Sequence, residues 1–237
     1  MFFIFDHMEQ TMWEINGLRI AEPMTVVTNM ILFIVCTYCA VIVMRGSSGR
    51  YDFVKKYSLF LLFTGISALL GGIFSHGFKY YFGLSYSLPG WLIALGGAYY
   101  ASVAAFRHGI ANNLWADLNL RKTVMVERLL LLLLFLAITL TMVYMHFLIV
   151  TLYTAVCISI IGLIIEINIY RKTRNEGSYL YIIGIGTGFL VLFIYLFKLG
   201  LSASFNHNDV AHIIMTISMI ILMRSFQKMG ITKINEQ

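Results

Sequence analysis

Apolar stretches close to the roughly 20 residues that a bilayer core demands recur along the chain, separated by short polar breaks. Taken in order, the pattern predicts seven spans. The first opens at Pro23 and runs to about residue 44, with proline well placed in the first turn of a helix. The second and third cover about residues 57–78 and 89–106, and the fourth covers about 124–144. The fifth, about 147–170, must follow almost at once, because only Met145-His146 intervenes. The sixth and seventh cover about 178–199 and 209–226. The expected fold is all-α: a polytopic membrane protein with a segment 1–22, a seven-helix bundle 23–226 and a tail 227–237.

Composition agrees. Charged residues make up only 12% of the chain, against about 25% in soluble domains. The formal charge of +6 therefore needs no nucleic acid to explain it. Its distribution orients the bundle. Arg45, Arg50, Lys55, Lys56, Arg107, Arg121, Lys122, Arg128, Arg171, Lys172, Arg174, Arg224, Lys228 and Lys233 fall on one side, and only Arg19, Lys79 and Lys198 on the other. Basic residues mark the cytoplasmic face, which predicts the N-terminus outside and the C-terminus inside. Residues 1–5 are apolar but short and lack a basic lead, so no cleaved signal peptide is expected there.

Several groups have ordinary explanations. Cys36, Cys39 and Cys157 lie in apolar runs and read as buried free thiols, although Cys36 and Cys39 form a CxxC. Glu166 and Lys198 read as snorkelling charges at span ends, and His146 as a solvated turn residue. Gly184 and Gly188 have the spacing of close helix packing. Tyr80, Tyr81, Phe82 and Tyr86 read as an interfacial aromatic belt.

The orientation gathers His7, His76, His146, His207 and His212 at the outer end, with Asp6, Glu9, Glu14, Glu22 and Asp209, and leaves His108 inside. Ionisable groups at membrane depth are costly and mark function by default. On a helix, Asn208 and Asp209 share a face with His212. His207 is five residues from His212, about 140° round a regular helix, so it joins such a site only from a loop. Asp209 also suits a helix first turn, and Asn208 an N-cap. Zinc takes imidazole and carboxylate ligands and, in catalytic sites, keeps a position open for water.

The residues 20–29, Ile-Ala-Glu-Pro-Met-Thr-Val-Val-Thr-Asn, together with Gly71-Gly72-Ile73-Phe74-Ser75-His76, Leu88-Pro89 and Asn208-Asp209-Val210-Ala211-His212, resemble in order and spacing the motifs of the alkaline ceramidases. More widely they are similar to the CREST superfamily of seven-span hydrolases and receptors. The resemblance implies an intramembrane zinc amidase acting on a lipid. His76 and His212 match its zinc-binding histidines. Asn208 stands at a third, so His207 or Asp209 is the expected substitute. Gly72 stands at the family serine, which makes Ser75 the stand-in, with Asp209 as its catalytic companion. Glu22, with Glu14 and Asn16, matches a calcium segment. No Asp or Glu lies between Lys79 and Phe106, where the family has a supporting aspartate.

Two functions are expected: a zinc-dependent, ceramidase-like lipid hydrolase, or a non-catalytic, receptor-like lipid-binding protein with a degenerate metal site. A bacterial chain of this kind belongs in the plasma (inner) membrane. A transporter would need an ion pair at mid-membrane, which the sequence does not reveal.

Overall fold

The computed structural model describes residues 11–46, 51–115 and 118–229. His7, Asp6, Glu9, Arg50, Lys233 and the end of the predicted tail lie outside the described residues. A two-stranded antiparallel hairpin, β1 (Met12–Ile15) and β2 (Leu18–Ala21), precedes the bundle. Its turn is Asn16-Gly17, both at positive φ (52° and 80°), as the tight two-residue hairpin turn requires.

Seven helices long and apolar enough to cross a bilayer follow. They are α1 (Pro23–Gly46), α2 (Asp52–Gly77), α3 (Leu88–Ala111), α4 (Leu120–Tyr144), α5 (Phe147–Thr173), α6 (Glu176–Phe197) and α7 (His207–Met229). A 3₁₀ turn, Leu84–Ser87, leads into α3. The all-α, seven-span expectation holds. With seven spans, the two ends of the bundle chain lie on opposite faces.

Two spans are not regular. α2 ends in a π-helical turn, Gly71–Gly77, and α5 contains another, Ala155–Gly162. Such widened turns frequently accompany functional sites. In α2 the widened turn coincides with close helix contact. A Cβ on Gly72 would lie 2.8 Å from Cβ of Asn29 on α1, and one on Gly77 would lie 3.0 Å from Cγ2 of Val26. Only glycine lets the two backbones approach that closely.

The core lies among α1, α2, α3, α5, α6 and α7, around Tyr57, Leu61, Leu222 and Phe226. Tyr57 stacks on Phe226 with ring centres 4.0 Å apart. α4 is the least buried of the seven helices. Along α6 and α7, Ser218 and Ser225 donate hydrogen bonds to the carbonyls of Gly184 and Gly177, each at 2.7 Å. The expected close packing at Gly184 is thus present, and hydroxyl-to-carbonyl bonds reinforce it. The three cysteines are free and buried.

α7 begins two residues earlier than its hydropathy suggests. Asn206, not Asn208, caps it. The side chain of Asn206 accepts from the Asn208 amide at 2.7 Å, and the Asp209 carboxylate reaches back to accept from the Asn206 amide, also at 2.7 Å. This reciprocal pair satisfies two orphan donors of the first turn.

Candidate functional site

At the N-terminal end of α1 the chain turns sharply from hairpin to helix, with Glu22 in the left-handed region at φ 46°. The turn sends the Glu22 side chain inward, where it is 5% exposed. Its carboxylate collects three donors from two other parts of the chain. His76 Nδ1 lies 3.0 Å from Oε2, Asn208 Nδ2 donates to Oε2 at 3.1 Å, and Lys79 Nζ donates to Oε1 at 2.7 Å. Because a carboxylate only accepts, His76 Nδ1 carries the proton of its bond. Burial alone raises the Glu22 carboxyl, but hydrogen bonds and charge from His76 and Lys79 outweigh it and hold the group down at about 2.

The second half of the site faces α1. Its residues Thr25, Thr28 and Asn29 are buried polar groups, spaced to share one helix face. Thr28 Oγ1 lies 3.1 Å from His212 Nδ1 and 3.4 Å from Asp209 Oδ1. Asn29 Nδ2 donates to the Thr25 carbonyl at 2.9 Å and lies 3.3 Å from the same His212 nitrogen. The His76 and His212 rings stand edge to face, 6.1 Å between centres. Both Nδ1 atoms are engaged, and no described residue hydrogen-bonds either Nε2.

The expected site residues therefore divide. Glu22, His76 and His212 meet, supported by Asn208. Asp209 meets them only through Thr28, on the Nδ1 side of His212, and its other oxygen caps α7. His207 does not join them. As the first residue of a regular α7 it turns to α6, where its ring packs edge-on against Tyr195 at 5.7 Å. Ser75 points elsewhere, donating to Ser87 at 2.8 Å. Glu14 and Asn16 do not assemble with Glu22. Glu14 is exposed and 3.9 Å from Arg19, and Asn16 is at the hairpin tip, four residues of extended chain away from Ala21.

Two imidazoles on one zinc put their ring centres about 5 Å apart, given Zn–N bonds of about 2.0–2.1 Å. The observed 6.1 Å is close to that. A catalytic zinc, however, needs three protein ligands. Among the described residues, no group of three His, Cys, Asp or Glu is placed to hold a metal ion. The tautomer matters too. If Asn29 donates into His212 Nδ1, that ring carries its proton on Nε2 and presents a donor, not a lone pair. Only with Nδ1–H donating to Thr28 do both rings turn ligand nitrogens outward.

A profile described as a family of unknown function, DUF6962, matches residues 24–231. The chain belongs to the DUF6962 family. No curated protein and no solved structure matches it. The family match runs from the helix that carries Thr25, Thr28 and Asn29 through α7, so it takes in the whole site except Glu22 and the hairpin.

Sequence reasoning missed Lys79 as a site residue and Thr28 and Asn29 as supports for His212. The signal was present in the spacing of polar residues at 25, 28 and 29 within an apolar span. It also misjudged Glu166. That side chain is fully buried, not snorkelling. It accepts from Tyr57 Oη at 2.9 Å and Ser178 Oγ at 2.6 Å, and His108 Nδ1 lies 3.0 Å away.

Proposed function

We propose that this DUF6962 protein is a seven-span, lipid-binding membrane protein of the receptor-like kind, with the Glu22–His76–His212 pocket holding the polar part of a lipid. The observation that carries this reading is the pattern of engaged nitrogens. Both imidazoles are fixed through Nδ1, and among the described residues both Nε2 atoms are left without a partner and the two rings lack the third donor of a catalytic metal. With Asn29 donating to His212, that ring offers an Nε2–H donor, and the Lys79 ammonium, held on Glu22, adds positive charge to the same cluster. Such a set suits a hydroxyl, carbonyl or anionic oxygen of a lipid headgroup. The surrounding helices supply the apolar wall that an acyl chain needs.

A second reading, the ceramidase-like hydrolase, is supported by the His76–Glu22 bond. A metal-bound histidine characteristically gives its other N–H to a carboxylate. In that reading His76 and His212 hold zinc, which when bound supplies Lewis acidity towards a lipid carbonyl. Glu22 orients His76, and Thr28 orients His212. Calcium at Glu22 has less support, because His76, Lys79 and Asn208 already occupy both its oxygens. The distribution of basic residues supports an orientation with the hairpin outside and the end of α7 in the cytoplasm.

The two readings separate in one experiment on purified full-length protein: metal analysis together with mass spectrometry of co-purified and added lipids. The lipid-binding reading expects retained lipid that His212→Gln and Lys79→Met release, no stoichiometric zinc and no new lipid products. Stoichiometric zinc lost in His212→Ala, with cleavage of a lipid amide or ester lost in the same variant, would replace it with the hydrolase.

A further inference from the structure

The hairpin ahead of α1 has two unlike faces. Its register pairs Trp13 with Ile20 and Ile15 with Leu18, and pairs Glu14 with Arg19. Cross-strand partners share a face and alternate along each strand. Trp13, Ile15, Leu18 and Ile20 therefore form one apolar face, while Glu14 and Arg19 are on the other with Met12 and the buried Ala21. Among the described residues little covers the apolar face: Trp13 is 48% exposed, Ile15 53% and Leu18 44%, while Ile20 is half-buried. An isolated two-stranded hairpin is marginal in water at best, even without an uncovered apolar face.

Its position names the occupant. β2 ends at Ala21, and α1 begins two residues later at Pro23. The five steps along the chain from Leu18 to Pro23 span at most about 17 Å, so the hairpin stays near the level of the first turn of α1. It is also tied down. Thr11 Oγ1 donates to the Ala203 carbonyl between α6 and α7 at 2.9 Å, and the Arg19 amide donates to Tyr81 Oη between α2 and α3 at 2.8 Å. Tyr80, Tyr81, Leu84 and Tyr86 on that second connection are themselves exposed. Trp and Tyr collect at the headgroup level of membranes.

We propose that the hairpin is an interfacial membrane anchor, with its Trp13–Ile15–Leu18–Ile20 face lying in the headgroup–acyl boundary of the adjacent leaflet and its Glu14–Arg19 face towards water. The occupant is the lipid surface itself. The anchor sits immediately before Glu22, so lipid contact at the hairpin steadies the turn that aims this carboxylate inward. The proposal does not depend on what the histidines bind.

The test uses full-length protein in phosphatidylcholine vesicles, with Trp91→Phe and Trp115→Phe leaving Trp13 as the single tryptophan. Expected are a blue-shifted emission, quenching by lipids brominated near the headgroup more than by lipids brominated near the chain end, and loss of quenching by aqueous iodide. If the double variant does not fold, the difference in emission between wild type and Trp13→Phe gives the same measurement. Emission at the wavelength of water-exposed tryptophan with full iodide quenching would overturn the proposal. So would blue-shifted emission insensitive to every brominated lipid, which would put another protein surface over the face.

Discussion

His76–Glu22 and His108–Glu166 each set an imidazole Nδ1 3.0 Å from a carboxylate oxygen, at opposite ends of the same bundle. Their surroundings differ in every other respect. The inner pair is fully buried and is closed by Tyr57 and Ser178, so that α2, α3, α5 and α6 all contribute to it. The outer pair has a lysine on the free carboxylate oxygen, and the His76 side chain is 23% exposed. The inner pair acts as a knot between helices, because any member removed leaves polar partners stranded in an apolar interior. The outer pair leaves one imidazole nitrogen without a partner among the described residues. In the proposed reading the same bond serves structure at one end and recognition at the other, according to what surrounds it.

Substitutions break this comparison in a graded way. The largest effect belongs to Glu166→Ala, which strands Tyr57, Ser178 and His108 and should cost about 3–5 kcal/mol in unfolding experiments in micelles. A loss near zero would mean that the inner pair holds nothing together.

Glu22→Gln should cost less, and its cost should depend on acidity. The folded carboxyl sits at about 2 against an ordinary 4.5, a difference worth about 3 kcal/mol at roughly 1.4 kcal/mol per unit. Because the folded value is depressed, the contribution is complete above pH 4.5, declines as pH falls and is gone below about 2. Wild type and Glu22→Gln should therefore differ in stability at neutral pH and converge in acid. Parallel curves would remove Glu22 from the account.

Gly72→Ala pushes a methyl group against Asn29 and should cost about 1–3 kcal/mol by overpacking. It sharpens the comparison, since it should disturb the His212 resonance by NMR and leave His108 unchanged. The smallest effect is expected from Asn206→Ala, about 1 kcal/mol from the lost cap of α7, read as a lowered melting temperature with the inner pair intact.

The spans were legible because each is an unbroken apolar run of bilayer length. Boundaries slipped where local polar chemistry decided them. α7 starts at His207 and not Asp209 because Asn206 and Asp209 cap it reciprocally. The outer site was half legible: His76, His212 and Glu22 stood out as ionisable groups at one end. Lys79 did not, because a lysine at a span end has an ordinary solvated role. The inner knot was illegible. His108 and Glu166 are 58 residues apart, and each alone suggests a border residue. The convergence of four helices on them has no local signature, and neither have the two π-helical turns.

The widened turn at Gly71–Gly77 carries its own consequence. A helix crosses a bilayer equally well with or without one surplus residue, but each residue also sets direction, about 100° per step. Deleting one residue from the regular stretch before Gly71 would leave a span long enough to cross and swing His76 away from Glu22 and His212, whereas the widened turn is where one residue can be lost with the least change of direction. Insertion into the membrane and the assembly of the rim are thus separable by one position in the chain.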